Sequence, residues 1–423
     1  MKNIKLNLWV MIAACWLPLS ILAQPGITSD REVTFLHGLN GSAADWQPFS
    51  DFFSGQDNRR INPTNFGYNS TGGFNSIATD IRARSSFGAN SIAICHSMGG
   101  VMARRLDKNN TAMGGIVTVG SPLDGAPIAN AVADGRAADA ANDGISTMVR
   151  GPLASLGFVT PLITFYGNAI GATFLPLLIQ SKVNPNRFGG SATVNDIKVG
   201  GSGIGQDINA SPTNTPKISI WGNENSPIHW QLMASQSGDD VPHIANNLST
   251  IYEVAFFTHI GIAAYTWWNP WGWWSAYAAY EWYGGWQWID NDSERIWNNL
   301  IGSDLVATQC YQYPTIIYEY DENCVDVPRL WRNCTRTAIP VTLTRCVQVH
   351  SNGISDAFIP ATSQRGNGSN SWRVGGSLVI DREAFGVNHS EELDANNAVM
   401  RSIFNEIFAN TTSSDPVFRI DRR

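Results

Sequence analysis

The run ANSIAICHSMGGVMARRL, from Ala89 to Leu106, restricts the fold of this 423-residue chain more than any other. SIAIC is short, apolar and β-rich, as a buried strand is, and GGVMARRL reads as a helix, with only His96, Ser97 and Met98 between them. A turn that sharp exposes its apical serine. It also needs small residues two positions either side, because larger ones crowd the strand and the helix. Gly99 meets that need on the helical side, and Gly100 adds room. On the strand side, where G-x-S-x-G places its first glycine, stands Cys95. Strand alternation sends a residue two before the apex into the packed sheet, so Cys95 reads as a small hydrophobe and Ser97 as the attacking residue. His96, between them, is expected to face away from the apex.

The flanking segments repeat the alternation. REVTFLHG reads as a strand, SIATDIRARSSFG as a helix, MGGVMARRLDKN as a helix, and GGIVTVGSP and KISIWG as strands. After Cys346 the same pattern is expected to resume with VQVH and GGSLVI as strands and NAVMRSIFNEIF as a last helix. Strands alternating with helices predict an α/β fold with a mostly parallel sheet covered by helices on both faces. Ligands of such sheets sit at the carboxyl ends of the strands. His37-Gly38, Ser97 and Gly120-Ser121-Pro122 all fall there.

Acyl transfer by a serine requires a base, an acid that holds the base, and N–H donors for the oxyanion. The donors follow from position: the N–H after the apex, on Met98, and one from the loop FLHGLNGS, assigned to Leu39. His37 in that loop is assigned a structural role. Seven histidines compete for the base; His389 in FGVNHSEEL is the only one beyond residue 350 and lies between strand-like and helical segments. The order serine, acid, histidine then favours Asp356 in VHSNGISDAFIP, whose loop precedes the last strand. Asp240 in SQSGDDVPH is the alternative acid, farther from any strand end.

Taken in order, VTFLHGLNG, CHSMGG, VTVGSPLDGAP, SDAFIPATSQ and VNHSEEL resemble the successive signatures of secreted α/β-hydrolase lipases and esterases, among them bacterial triacylglycerol lipases and lipase-like GPI-inositol deacylases. The resemblance covers roughly residues 31–125, 217–222 and 346–410. It implies an α/β-hydrolase fold, a Ser97–Asp356–His389 triad, Leu39 and Met98 as oxyanion donors, and a lid after GSPLDGAP. Two departures stand out: Cys95 for glycine or alanine, and Leu123-Asp124 where the relatives carry the histidine of T-P-H-x-G. Some bacterial lipases hold a structural calcium near the histidine, to which Asp239, Asp240 and Glu391 would correspond here. No metal or cofactor is expected.

Residues 1–23 read as a signal peptide: Lys2 and Lys5, an apolar run from Leu6, and Ala23 before Gln24. Export, secreted or periplasmic, is the expectation. Lipoprotein anchoring at Cys15 is disfavoured by the apolar run that follows it. Without the leader's two lysines the formal charge goes from −7 to −9, and no basic patch exists, so nucleic acid is not an expected partner. The hydrolase core is assigned to residues 24–248 and 346–423, with an apolar lid region or buried core helices at about 126–190. Between them, 249–345 is an insertion in which eight of the 22 residues from Trp267 to Trp288 are tryptophan. Internal packing and a surface for lipid interfaces or sugars are both compatible with so much indole, and partial exposure is expected. Cys310, Cys324, Cys334 and Cys346 form an even cluster without short C-x-x-C spacings, which suggests disulfides over zinc. The nested pairing, 310–346 around 324–334, is favoured because YQYPTIIYEY and RTAIPVTLTR would face each other as an antiparallel ribbon. The expected function is hydrolysis of lipid-like or small carboxylic esters. Acyl transfer through the same triad and lipid or glycan binding through the insertion are the alternatives.

Overall fold

The computed structural model describes residues 29–155, 192–224, 241–266, 268, 270–302, 305–320, 336–350, 354–409 and 416–423. Its strands are β1 (Arg31–Leu36), β2 (Ile61–Phe66), β3 (Ser91–His96), β4 (Gly115–Val119), β5 (Lys217–Asn223), β6 (Leu305–Tyr320), β7 (Arg336–His350) and β8 (Ile380–Phe385). Six form one sheet in the order β2-β1-β3-β4-β5-β8, every neighbouring pair parallel. β3 and β4 sit at its centre and are buried along their whole length, as their uninterrupted apolar sequences require of strands covered on both faces.

Helices α1 (Phe74–Arg84) and α2 (Met98–Lys108) belong to the layer on one face, where Ile77, Ile81, Val101 and Leu106 close a core with Leu36 and Cys95. The other face is closed by Trp46, Phe49 and Phe53 with Phe404 and Phe408. The last two lie on a terminal helix whose first turn is capped by Asn397, its side chain accepting from Val399 and Met400 N–H. Helix, parallel sheet and helix in three layers, with the crossovers running through helices, form the expected α/β architecture, and the six-stranded parallel sheet is consistent with an α/β-hydrolase fold.

Two helical segments are added to this frame, the first of them packing Ile128, Ala129 and Ala131 into the same core as Leu36 and Cys95. Helices α3 (Pro127–Ala133) and α4 (Arg136–Ser155) follow β4. Helices α5 (Val241–Tyr265) and α6 (Pro270–Gln287) form an antiparallel hairpin whose second arm packs against α4. Helix α7 (Ser293–Ile301) leads on to the ribbon, and α8 (Ala398–Phe408) is the terminal helix. A buried polar chain joins hairpin and α4. Ser275 Oγ donates to the His259 carbonyl and therefore accepts from His259 Nδ1 at 3.1 Å, leaving Nε2 to meet Ser155 Oγ at 2.8 Å. Trp282 Nε1 donates to the same hydroxyl, and Trp274 Nε1 to the Ala154 carbonyl.

The ribbon β6–β7 is antiparallel with Tyr311 to Tyr320 opposite Arg345 to Arg336, and its register sets Cys310 opposite Cys346. Cys324 and Cys334 lie outside the described residues. The sequence expectation fails in two places nearby. VQVH belongs to the ribbon strand β7 and not to the main sheet, and the last sheet strand begins at Ile380, where GGSLVI ends. The cause is shared: β8 is an edge strand whose middle, Asp381 to Glu383, is polar and at best half-buried, so the apolar runs beside it advertise strands more strongly than it does.

Candidate active site

β3 ends at His96 and α2 begins at Met98, so Ser97 alone makes the turn, with φ 53° and ψ −127°. That left-handed backbone is costly for a residue with a Cβ, and it persists because strand and helix are both locked by packing. Ser97 N–H donates to the Val119 carbonyl, tying the apex to the neighbouring strand. The turn admits nothing larger than glycine behind it. A Cβ on Gly99 would lie 2.6 Å from the Leu36 carbonyl oxygen and 2.8 Å from that of His37.

Cys95 is fully buried in the core beside Leu36, and burial pushes its thiol well above the ordinary range. A thiol held neutral in apolar packing is not a nucleophile. Cys95→Gly is therefore expected to keep kcat/KM within about threefold while losing roughly 1 kcal/mol of stability from the strand. Ester assays beside a urea titration would check both.

Met98 follows Ser97 directly, and Leu39 lies in the loop beside that apex. Met98 N–H opens helix α2, and neither it nor Leu39 N–H donates a hydrogen bond among the described residues. The Leu39 loop is held against the apex, since a Cβ on Gly38 would fall 2.9 Å from Ser97 Cβ. His37 shapes that loop. Its Nδ1–H donates to Gly38 O at 2.8 Å, its Nε2 accepts from Tyr68 N–H, and the ring stacks on Tyr68. Burial lowers its pKa.

Asp356 and His389 come together. His389 Nδ1 lies 2.6 Å from Asp356 Oδ2, and His389 N–H donates to the Asp356 carbonyl at 2.7 Å. Asp356 is fully buried, and its other oxygen accepts from the N–H groups of Phe358 and Ile359. Its loop pairs with the end of β5, where Glu224 N–H donates to the Ser355 carbonyl. Burial alone would lower the imidazole of His389, but the Asp356 carboxylate and then Glu392 outweigh it and raise its pKa. No hydrogen bond joins Ser97 Oγ to His389 among the described residues, and that contact is often long in a free enzyme. Asp239 and Asp240 lie outside the described residues.

Two side chains escaped the sequence reading. His96 does not simply turn away from the site: its ring meets that of His389 with centroids 4.5 Å apart, and its Nε2 donates to the His389 carbonyl at 3.0 Å. Glu392, fully buried, lies 3.2 Å from His96 Nε2 and 3.4 Å from His389 Nδ1. The signal was present in HSEEL, an acid three residues after the histidine, but which of two glutamates turns inward depends on the short helical turn Glu391–Leu393. His96, His389 and Glu392 are the one grouping of metal-ligand type among the described residues, their atoms within 4.8 Å of one another. Its imidazole at position 389 is engaged by Asp356.

Ser97 opens on a small cleft walled by apolar side chains: Leu39, then Ile128, Ala129 and Val132 of α3, then Phe358 and Ile359. The T-P-H-x-G departure has a structural explanation. Leu123 joins the core, and Asp124 Oδ2 accepts from Gly368 N–H at 2.9 Å, fastening two loops.

No protein-family profile matches the chain, and no curated protein sequence matches it. Among solved structures the chain is similar to the lipase BlEst2 of Bacillus licheniformis in mature form, with 13% identity, a TM-score of 0.30 and coverage of 51% of this chain and 78% of that one. It is also similar to the phospholipase PlaB of Legionella pneumophila, with 14% identity, a TM-score of 0.28 and coverage of 47% and 40% respectively.

Proposed function

We propose that this chain is an exported serine hydrolase that cleaves carboxylic esters of lipid-like substrates. The observation that carries the reading is the strained Ser97 at the mouth of an apolar cleft, with the His389–Asp356 pair at the neighbouring strand ends. In this reading Ser97 Oγ attacks the ester carbonyl while His389 takes its proton. Asp356 holds the imidazole in the tautomer that leaves Nε2 free to accept. The Leu39 and Met98 amides receive the oxyanion, where fixed dipoles act with little reorganisation. His389 then protonates the leaving alcohol, and water repeats the sequence on the acyl-enzyme. The cleft's nearly uninterrupted apolar wall suits an acyl chain more than a sugar or a peptide.

The test is a series of p-nitrophenyl esters of rising acyl length, with Ser97→Ala as blank. A rise in kcat/KM from acetate to longer chains supports the lipid assignment. Turnover that Ser97→Ala does not abolish would end it. Adding an alcohol acceptor and analysing products separates hydrolysis from acyl transfer.

A second part of the reading concerns the hairpin. Between Glu253 and Glu281 no Asp, Glu, Lys or Arg occurs, and the arms expose Phe257, Tyr265, Trp268, Trp273 and Tyr280. Trp282, by contrast, is buried, so indole serves both packing and surface. Exposed uncharged Trp and Tyr suit a lipid–water interface, which takes their rings while their N–H and O–H groups stay hydrated. Replacing Trp273 and Tyr280 by serine is expected to weaken binding to phosphatidylcholine vesicles by about tenfold or more. Hydrolysis of a soluble butyrate ester should stay within about twofold, because neither residue lines the cleft. A vesicle co-sedimentation assay beside the soluble assay checks the pair of outcomes. Among the described residues no helix is long and apolar enough to cross a membrane. The disulfides 310–346 and 324–334 remain proposals for the ribbon.

A further inference from the structure

We propose that Glu392 is a positioning residue for the reaction inferred above: a second carboxyl on the imidazole of His389, bridging it to His96 beside the nucleophile. The inference rests on that reading of Ser97 and His389 and goes beyond it.

The geometry is specific. Asp356 Oδ2 and Glu392 Oε2 approach the same atom, His389 Nδ1, at 2.6 and 3.4 Å. The same Glu392 oxygen lies 3.2 Å from His96 Nε2, which itself donates to the His389 carbonyl. Among the described residues neither Glu392 oxygen makes a well-formed hydrogen bond, although the residue is fully buried; His389 and the Gly222 N–H are favourable neighbours. A buried carboxyl without such bonds carries a desolvation cost, so its place needs a reason.

The fold makes room for it at two strand ends. A Cβ on Gly120, after β4, would lie 1.9 Å from Glu392 Oε2, and one on Gly222, in β5, 2.7 Å from Oε1. From β3 the carboxyl meets His96, from the 354–360 loop Asp356, and from its own turn His389. Burial, and then repulsion from Asp356, raise its pKa.

Two buried carboxyls cannot both be ionised cheaply beside one neutral imidazole, so the three groups titrate as a unit. When His389 takes the proton from Ser97 Oγ, the imidazolium faces both acids. Glu392 thereby makes the imidazole more basic than Asp356 alone would. It also offers Nδ1–H a second acceptor.

The test uses the full chain and a soluble p-nitrophenyl butyrate assay across pH, with folding checked by circular dichroism and urea midpoint. In Glu392→Gln one negative charge is lost near His389. The acidic limb of kcat/KM should move to lower pH by about half a unit or more, and Glu392→Asp should move it back. Asp356→Asn alone should cost about 100-fold or less, where a triad with no second acid loses about 10⁴. In Asp356→Asn/Glu392→Gln the loss should exceed the product of the single losses by about fivefold or more. An unmoved acidic limb in folded Glu392→Gln, or losses that simply multiply, would overturn the proposal. Should Glu392→Gln fail to fold, Asp356→Asn decides: a loss near 10⁴ rejects the second acid, and about 100-fold or less supports it. Turnover surviving in Ser97→Ala would instead indict the assignment of the nucleophile.

Discussion

Ser97→Ala is expected to lower kcat for its preferred ester by a factor on the order of 10⁶, with the fold intact. The size follows from the collective action of nucleophile and base. Without the hydroxyl, His389 has nothing to activate but water, and what remains is the contribution of the oxyanion donors and of binding. Stability should change little or improve, because alanine removes a hydroxyl that makes no cap hydrogen bond to helix α2 and leaves the strained backbone as it was. A single-turnover assay together with thermal unfolding checks both halves. A variant as active as the parent would remove Ser97 from the chemistry.

Gly99→Ala should be nearly as damaging by an unrelated route. Its methyl group would press on the carbonyl oxygens of Leu36 and His37, at 2.6 and 2.8 Å, and backbone cannot rotate away as a flexible side chain can. Overpacking of this kind costs about 3 kcal/mol. Relief would come from shifting α2 or the Leu39 loop, which carry the two proposed oxyanion donors. Losing one such donor costs about 10² to 10³ in kcat. Reduced urea midpoint together with reduced kcat is the expected pair. Loss of stability alone would mean that the donors lie elsewhere. The contrast with Cys95→Gly separates the two small residues around the apex: one fills sheet space, the other clears backbone.

The central strands and the turn they feed could be read in the sequence because burial on both faces writes an apolar run, and because helix α2 starts where the glycines begin. β2 could not. INPTNF is an edge strand with a proline and three exposed or half-exposed polar residues between its two buried ends, and nothing in it alternates cleanly. β8 was obscured in the same way. Among the candidate site residues, the turn that places Ser97 and Met98 was legible from local chemistry. The contact between His389 and Asp356 was expected from chain order, which survives the insertion between β5 and β8. Glu392 and His96 were not, because their closeness is created by tertiary packing of segments 293 residues apart in their contact with His389.

The buried chain from Ser275 through His259 and Ser155 to Trp282 has a mechanical consequence. It fastens α4 to both arms of the aromatic hairpin, while α4 continues from α3, which forms one wall of the cleft. Hairpin and α4 are therefore expected to travel as a single lever, with its outer end the uncharged indole and phenol face and its inner end joined to the α3 wall of the cleft beside Ser97. Hydrogen exchange should report equal protection along α4 and α6, falling together in His259→Ala. A force applied to the hairpin's outer face would then be delivered to the cleft beside Ser97 without any contact between the two.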